Sequence, residues 1–146
     1  MPIKINCENR NKKRRIDLGK IEKIARKTLR LLKKTNAEIN IVFFSNQKIR
    51  AINRLFLGKD ESTDVIAFPS DEKIGPDRAF LGDIAVSSDK AFRNAAEYGT
   101  AFTEEAALYV IHGILHLTGY DDRTEKDGEI MRRKEDELSQ KTKALL

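Results

Sequence analysis

Two histidines and one cysteine are all that this 146-residue chain offers of the side chains that most readily ligate soft metals. The lone thiol, Cys7, has no partner within the chain, so a disulfide framework is excluded and a reducing compartment is expected. A cysteine-rich zinc site is excluded on the same ground. No apolar run reaches the roughly 18 residues of a membrane-spanning helix, so none is expected. The opening MPIKINCENRNKKRR lacks the apolar core and small-residue cleavage site of a signal peptide. A cytoplasmic address is the expectation. The composition, 40 % hydrophobic and 35 % charged, is that of a folded domain rather than a disordered tail. The length suits a single domain, residues 1–146, with one core.

The charge balance is 28 Lys and Arg against 23 Asp and Glu, a net charge of +5. Part of the excess is concentrated in Arg10, Lys12, Lys13, Arg14 and Arg15. A cluster this dense can neutralise phosphates and gain from counterion release, although a solvated turn would look the same.

Periodicity divides the chain further. PIKINCE alternates as a half-buried strand does, and Asp17 is placed to cap a helix carrying Leu18, Ile21, Ala25, Leu29 and Leu32 to about Thr35. AEINIVFFS (37–45) ends apolar on both faces, as an interior strand does. Ser45 can cap a helix with Ile49, Ile52 and Phe56 in one stripe. VIAF (65–68) reads as a strand stopped by Pro69, and FLGDIAVS (80–87) as another beyond a loop with Gly75 and Pro76. Ser88 is then expected to cap a helix carrying Ala91, Phe92, Ala95 and Ala96, ended by Gly99. Thr103 opens the next helix, with Glu104 and Glu105 suited to its dipole. A charged helix closes the chain, with Glu129–Arg133 and Glu137–Lys141 as candidate pairs. The expected fold class is α+β, a single domain with a mixed sheet of about four strands packed against helices.

The functional signal is HGILHLTGYDD (112–122), which holds both histidines. From Ala106 to Leu117 every other residue is apolar or glycine, so the helix is a buried one. His112 and His116 project from one face of it, about 6 Å apart along the axis, and can share one cation. Gly119 is placed to end the helix left-handed, letting the chain reverse and bring Asp121 or Asp122 to the same point. A lone histidine in such a helix would more simply be a core residue bonded to a carbonyl. The pair, the glycine break and the acid together favour a metal site with open positions. In helical zinc proteases the residue after the first histidine is the glutamate base; here it is Gly113, which instead permits a close approach to the helix. A structural site commonly has four ligands, including cysteine. Hydrolysis of a phosphodiester suits the positive charge better than hydrolysis of a peptide.

HGILHLTGYDD resembles HGxLHLxGYDH, the signature of the YbeY family of bacterial metallo-endoribonucleases. LGKDESTDVIAFP (57–69) is similar to that family's RGKDxxTDVLSFP, FLGDIAVS resembles its LGDIxIS, and the glutamate and methionine of GEIMRRKEDE fit its closing helix. The likeness runs from about Ile39 to Glu137. It implies an α+β fold and a single-strand-specific endoribonuclease acting in 16S ribosomal RNA 3′-end maturation and ribosome quality control. It also implies a zinc ion held by three side chains, which fall here on His112, His116 and Asp122. Two positions depart from the pattern. Asp122 replaces a histidine, which makes the site harder and lets Mn²⁺ or Mg²⁺ compete better with zinc. Leu57 replaces an arginine implicated in activity; Lys59, Arg54 and Arg123 are the nearby cations that could take its part.

The expectation is metal-assisted cleavage of single-stranded RNA with one divalent ion, zinc first among the candidates. Asp121 is a candidate general base, with a turn-holding hydrogen bond as its simpler role. Lys59 lies with Asp60 in a loop before a strand, where site residues often sit. Arg10, Lys12, Lys13, Arg14 and Arg15 would position the RNA backbone without reading sequence. Asp64 and Asp83 flank predicted strands. The expected partners are single-stranded and ribosomal RNA and the small ribosomal subunit, and no membrane. Two alternatives are a ribosome-associated binding module with a structural metal, and a metalloprotease-like hydrolase.

Overall fold

The alternating stretches at positions 3–9 and 37–45 become neighbouring strands in a computed structural model, which describes residues 3–146. In chain order the elements are β1 (Lys4–Asn9), α1 (Leu18–Leu31), β2 (Ala37–Phe44), α2 (Asn46–Ile52), β3 (Val65–Pro69), β4 (Ala79–Ser87), α3 (Ser88–Tyr98), α4 (Phe102–Leu117) and α5 (Glu125–Thr142). A π-turn, Asn53–Leu57, follows α2, and a short 3₁₀ turn follows α5. The sheet runs β1-β2-β4-β3. Its first three strands are parallel and β3 is an antiparallel edge, so the expected mixed four-stranded α+β arrangement is present.

Strand alternation decides the layers. Ile39, Ile41 and Phe43 of β2 are fully buried in one cluster with Ile21 and Leu29 of α1 and Ile111, Ile114 and Leu115 of α4. The opposite face, with Phe44 and Phe68, is covered only in part, by Ile49 and Ile52 of α2. The edge position of β3 explains how Pro69 ends a strand rather than preventing one: it needs no ladder donor there. Among the described residues no helix is long and apolar enough to cross a membrane.

Several element ends differ from expectation. Asp17 caps α1 as anticipated, accepting from the Lys20 amide at 3.1 Å. The helix nevertheless stops at Leu31 instead of Thr35, because Lys33 takes φ +61° and the Lys33 and Lys34 amides fold back onto Arg30 and Leu29. Ser45 does cap α2. Phe56 leaves the inward stripe, since the wider π-turn rotates it outward to 64 % exposure while Asn53 takes the buried position. The cap of α3 is Ser87, accepting from Lys90 at 3.1 Å, and Ser88 is the first helical residue. Ala96 and Phe92 are exposed on α3, whose buried stripe is confined to Ser88, Ala91 and Ala95. α4 begins one residue before Thr103, with Glu104 accepting from the Ala101 amide. Both charge pairs expected on α5 are present at 3.5 Å.

Candidate metal centre

α4 can be apolar on nearly every side because β3, β4, α1, α3 and α5 all pack on it. Gly113 is what lets it sit close on the sheet: a Cβ there would lie 2.7 Å from Cγ2 of Ile84. The face left over carries His112 and His116, both half-buried. Their Nε2 atoms approach to 3.2 Å. Two ligands of a tetrahedral zinc, each about 2.0–2.1 Å from the ion, stand roughly 3.3 Å apart, so the pair already has ligand spacing.

The helix ends as its glycine suggests. Gly119 takes φ +103°, and the Gly119 and Tyr120 amides return to His116 and Leu115, closing a Schellman turn. That reversal carries Asp122 back to the imidazoles, and the ligand atoms of His112, His116 and Asp122 all lie within 4.8 Å of one another. Two imidazoles and a carboxylate form a legitimate donor set for a divalent ion.

A fourth group stands behind the first. Nδ1 of His112 donates to Oε2 of Glu135 on α5, 2.7 Å away. With that proton fixed, a neutral His112 has its Nε2 lone pair toward the ligand triangle. The Glu135 hydrogen bond raises the His112 pKa from its ordinary value, against the opposing effect of burial. His116 is pushed down, first by burial and then by the neighbouring His112. The sequence did not single out Glu135 in this role. One signal could have found it: Gly128, Met131, Leu138 and Thr142 form the buried stripe of α5, and Glu135 falls on the same helical spacing.

The triangle opens into a cleft of about 670 Å³, bordered by β3 and lined also by Leu57, Lys59, Tyr120, Asp121 and Arg123. Lys59 and Arg123 therefore reach the space beside Leu57, whereas Arg54 is exposed and is not among the lining residues. Asp121 faces the cleft and also accepts from the Arg123 amide at 3.2 Å, so its turn-holding role is real. Asp60 pairs instead with Arg50, at 2.9 Å on the surface. Asp64 accepts from the Val65 amide, and Asp83 from Asn40.

The basic cluster is elsewhere. None of residues 10–15 lines the cleft. The segment follows β1 and is fastened over α3: Asn11 bonds Ser88 and Asp89, and Arg14 pairs with Asp89 at 3.0 Å while lying 4.0 Å over the Phe92 ring. Arg10 pairs with Glu8, and Lys12, Lys13 and Arg15 face solvent.

An α+β domain with two imidazoles lining an open cleft and a carboxylate beside them has the make-up of a metal-assisted hydrolase. Comparison with known proteins is specific. The family model described as Endoribonuclease YbeY matches residues 6–143. The Endoribonuclease YbeY of Sulfurihydrogenibium sp. is 42 % identical over 122 residues, covering 83 % of this chain and 80 % of that protein. That of Aquifex aeolicus is 42 % identical over 118 residues, covering 81 % and 77 %. The solution structure of a Thermotoga maritima protein superposes with a TM-score of 0.63 at 28 % identity, over 94 % of this chain and 88 % of that one. The chain belongs to the YbeY family, whose members are named endoribonucleases, enzymes that cleave RNA phosphodiester bonds.

Proposed function

We propose that this chain is a metal-dependent, single-strand-specific endoribonuclease that acts on ribosomal RNA in the cytoplasm, in 16S 3′-end maturation and ribosome quality control. The observation that carries the chemistry is the 3.2 Å approach of the two Nε2 atoms on the wall of a cleft, with Asp122 close enough to share an ion with them. His112, His116 and Asp122 would hold one ion, zinc before manganese or magnesium. When bound, that ion supplies Lewis acidity beside the scissile phosphate.

The chain's own residues do the rest. Glu135 holds the His112 ring in place through Nδ1, and Lys59 and Arg123 offer the cleft cations for phosphate oxygens. Asp121, which lines the cleft as Glu61 also does, would take a proton there. Arg10, Lys12, Lys13 and Arg15, which do not line the cleft, would contact the RNA backbone away from the scissile bond, and Arg14 chiefly anchors that segment. The protease alternative loses ground at Gly113, where Ile84 leaves no room for a glutamate side chain.

Elemental analysis of the purified protein beside His116→Ala tests the proposal, together with cleavage of labelled single-stranded RNA before and after chelation. One metal per chain, lost in the variant along with chelator-sensitive cleavage, is the expected result. Bound metal with no cleavage would instead favour the ribosome-associated binding module, a reading that the missing arginine at Leu57 supports. In that case Leu57→Arg, which returns a cation to the cleft wall, should raise cleavage about tenfold or more if an incomplete active site is the reason.

A further inference from the structure

A sizeable apolar surface outside the core lies next to the cleft. Leu55, Phe56 and Leu57 of the π-turn are 76 %, 64 % and 51 % exposed. Phe56 meets Phe68 of β3 edge-to-face, with ring centroids 5.7 Å apart. Together with Val42, Phe44 and Ile52 they wall a groove of about 310 Å³ on the less covered face of the sheet.

Two chain neighbours join this groove to the cleft. Leu57 lines the cleft and Phe56 the groove; Pro69 lines the cleft and Phe68 the groove. Consecutive Cα atoms are about 3.8 Å apart, so the two hollows are separated by the thickness of one edge strand and one turn. Among the described residues, the only charged one lining the groove is Asp83. A phosphate is repelled there, whereas the flat, uncharged face of a base is not. Lys48, exposed one helical turn before Ile52, can meet a phosphate at the rim.

Resting on the ribonuclease reading above, we propose that this groove is a base-stacking subsite: an unpaired base flanking the scissile phosphate lies on the Phe56 ring, with Phe68 behind it. A base stacked on its duplex neighbours has no free face, so the subsite selects single-stranded RNA by geometry rather than by sequence. The π-turn has a purpose in this arrangement. A regular helix would keep Phe56 on the Ile49–Ile52 stripe, and the wider turn releases it to the surface.

The test uses 2′-O-methyl oligonucleotides with 2-aminopurine placed at successive positions, bound to the purified protein and to Phe56→Ala and Phe56→Trp. One position should be quenched in wild type and in Phe56→Trp, and not in Phe56→Ala. Single-strand affinity should fall about tenfold in Phe56→Ala and hold in Phe56→Trp, while affinity for the same sequence as a duplex does not change. Equal single-strand affinity and quenching in wild type and Phe56→Ala would overturn the subsite while leaving the ribonuclease reading intact. An RNA that neither binds nor is cleaved by wild type would overturn both. Self-association lost in Phe56→Ala, with RNA affinity unchanged, would assign the groove to a second copy of the chain instead.

Discussion

Removing Glu135 should weaken the metal centre without touching a ligand. Its Oε2 stands 2.7 Å from Nδ1 of His112, and its side chain is only 20 % exposed, so little water is at hand to replace it. Loss of such an outer carboxylate costs about 10–100-fold in metal affinity, which is roughly 1.4–2.7 kcal/mol. Glu135→Ala should lie toward the upper end. Glu135→Gln keeps a carbonyl that can accept the same proton, so it should lie near or below tenfold. Competition with a chromophoric chelator measures the affinity directly. Unfolding of the metal-free variants provides the control, because an unpaired Nδ1–H lowers stability by about 1–3 kcal/mol whether or not metal binds. The added stability on loading with metal should shrink by the affinity loss alone. Glu135→Ala binding metal as tightly as wild type would refute the reasoning, and equal losses in the two variants would show that shape rather than hydrogen bonding matters.

Three further outcomes follow from the geometry. Asp89 accepts from the Asn46 amide, Asn11 and Arg14 at 2.8, 2.9 and 3.0 Å, so Asp89→Ala should destabilise by about 2–3 kcal/mol in chemical denaturation. Burial alone would raise its pKa, but these bonds and the Arg14 charge outweigh it and hold the carboxylate below its ordinary value. Its contribution is therefore present above the unfolded value of about 3.9 and lost as pH falls through the lower folded one; Asp89→Asn should flatten that acid limb. Gly113→Ala should cost about 1–3 kcal/mol by overpacking, less than additively when combined with Ile84→Ala, as a double-mutant cycle would show. Lys59→Ala and Arg123→Ala should raise KM for single-stranded RNA and reduce its salt dependence; an unchanged KM in the double variant would remove both from substrate binding.

The candidate metal ligands are legible because they are local. Helix geometry fixes the spacing of His112 and His116, and Gly119 announces the turn that returns Asp122. The strands were legible from alternation, and even the interior position of β2 was written in its apolar end. Features decided by tertiary contact were not. The left-handed residue ending α1 is Lys33, not the glycine that would have marked it. Ser87 and Ser88 are both competent caps, and the choice depends on Ser88 being drawn to Asn11 and the Phe44 carbonyl. The π-turn carries no composition signal, so periodicity alone puts Phe56 on the inner stripe while the structure exposes it. Composition located the basic cluster but not that it stays out of the cleft lining. Nor did it separate Arg14, tied to Asp89 and Phe92, from Lys12, Lys13 and Arg15, which face solvent.

The two departures from the family pattern act in the same direction. A divalent ion held by three neutral imidazoles would keep its full double charge, while Asp122 as a ligand would cancel half of it and Glu135 stands behind His112 with another negative charge. The loaded centre would thus attract a phosphate less than a three-histidine one does. Leu57 removes a further positive charge from the same cleft wall. The electrostatic attraction for RNA must then come from cations off the centre, and Lys59 and Arg123 are the ones that line this cleft. An apolar Leu57 beside Phe56 also extends the stacking surface toward the cleft, so the chain exchanges charge for base contact at that position. A substrate held more by its bases and less by its phosphates should bind with a shallower salt dependence than one gripped by an arginine at position 57, and comparing wild type with Leu57→Arg over a salt series measures that difference.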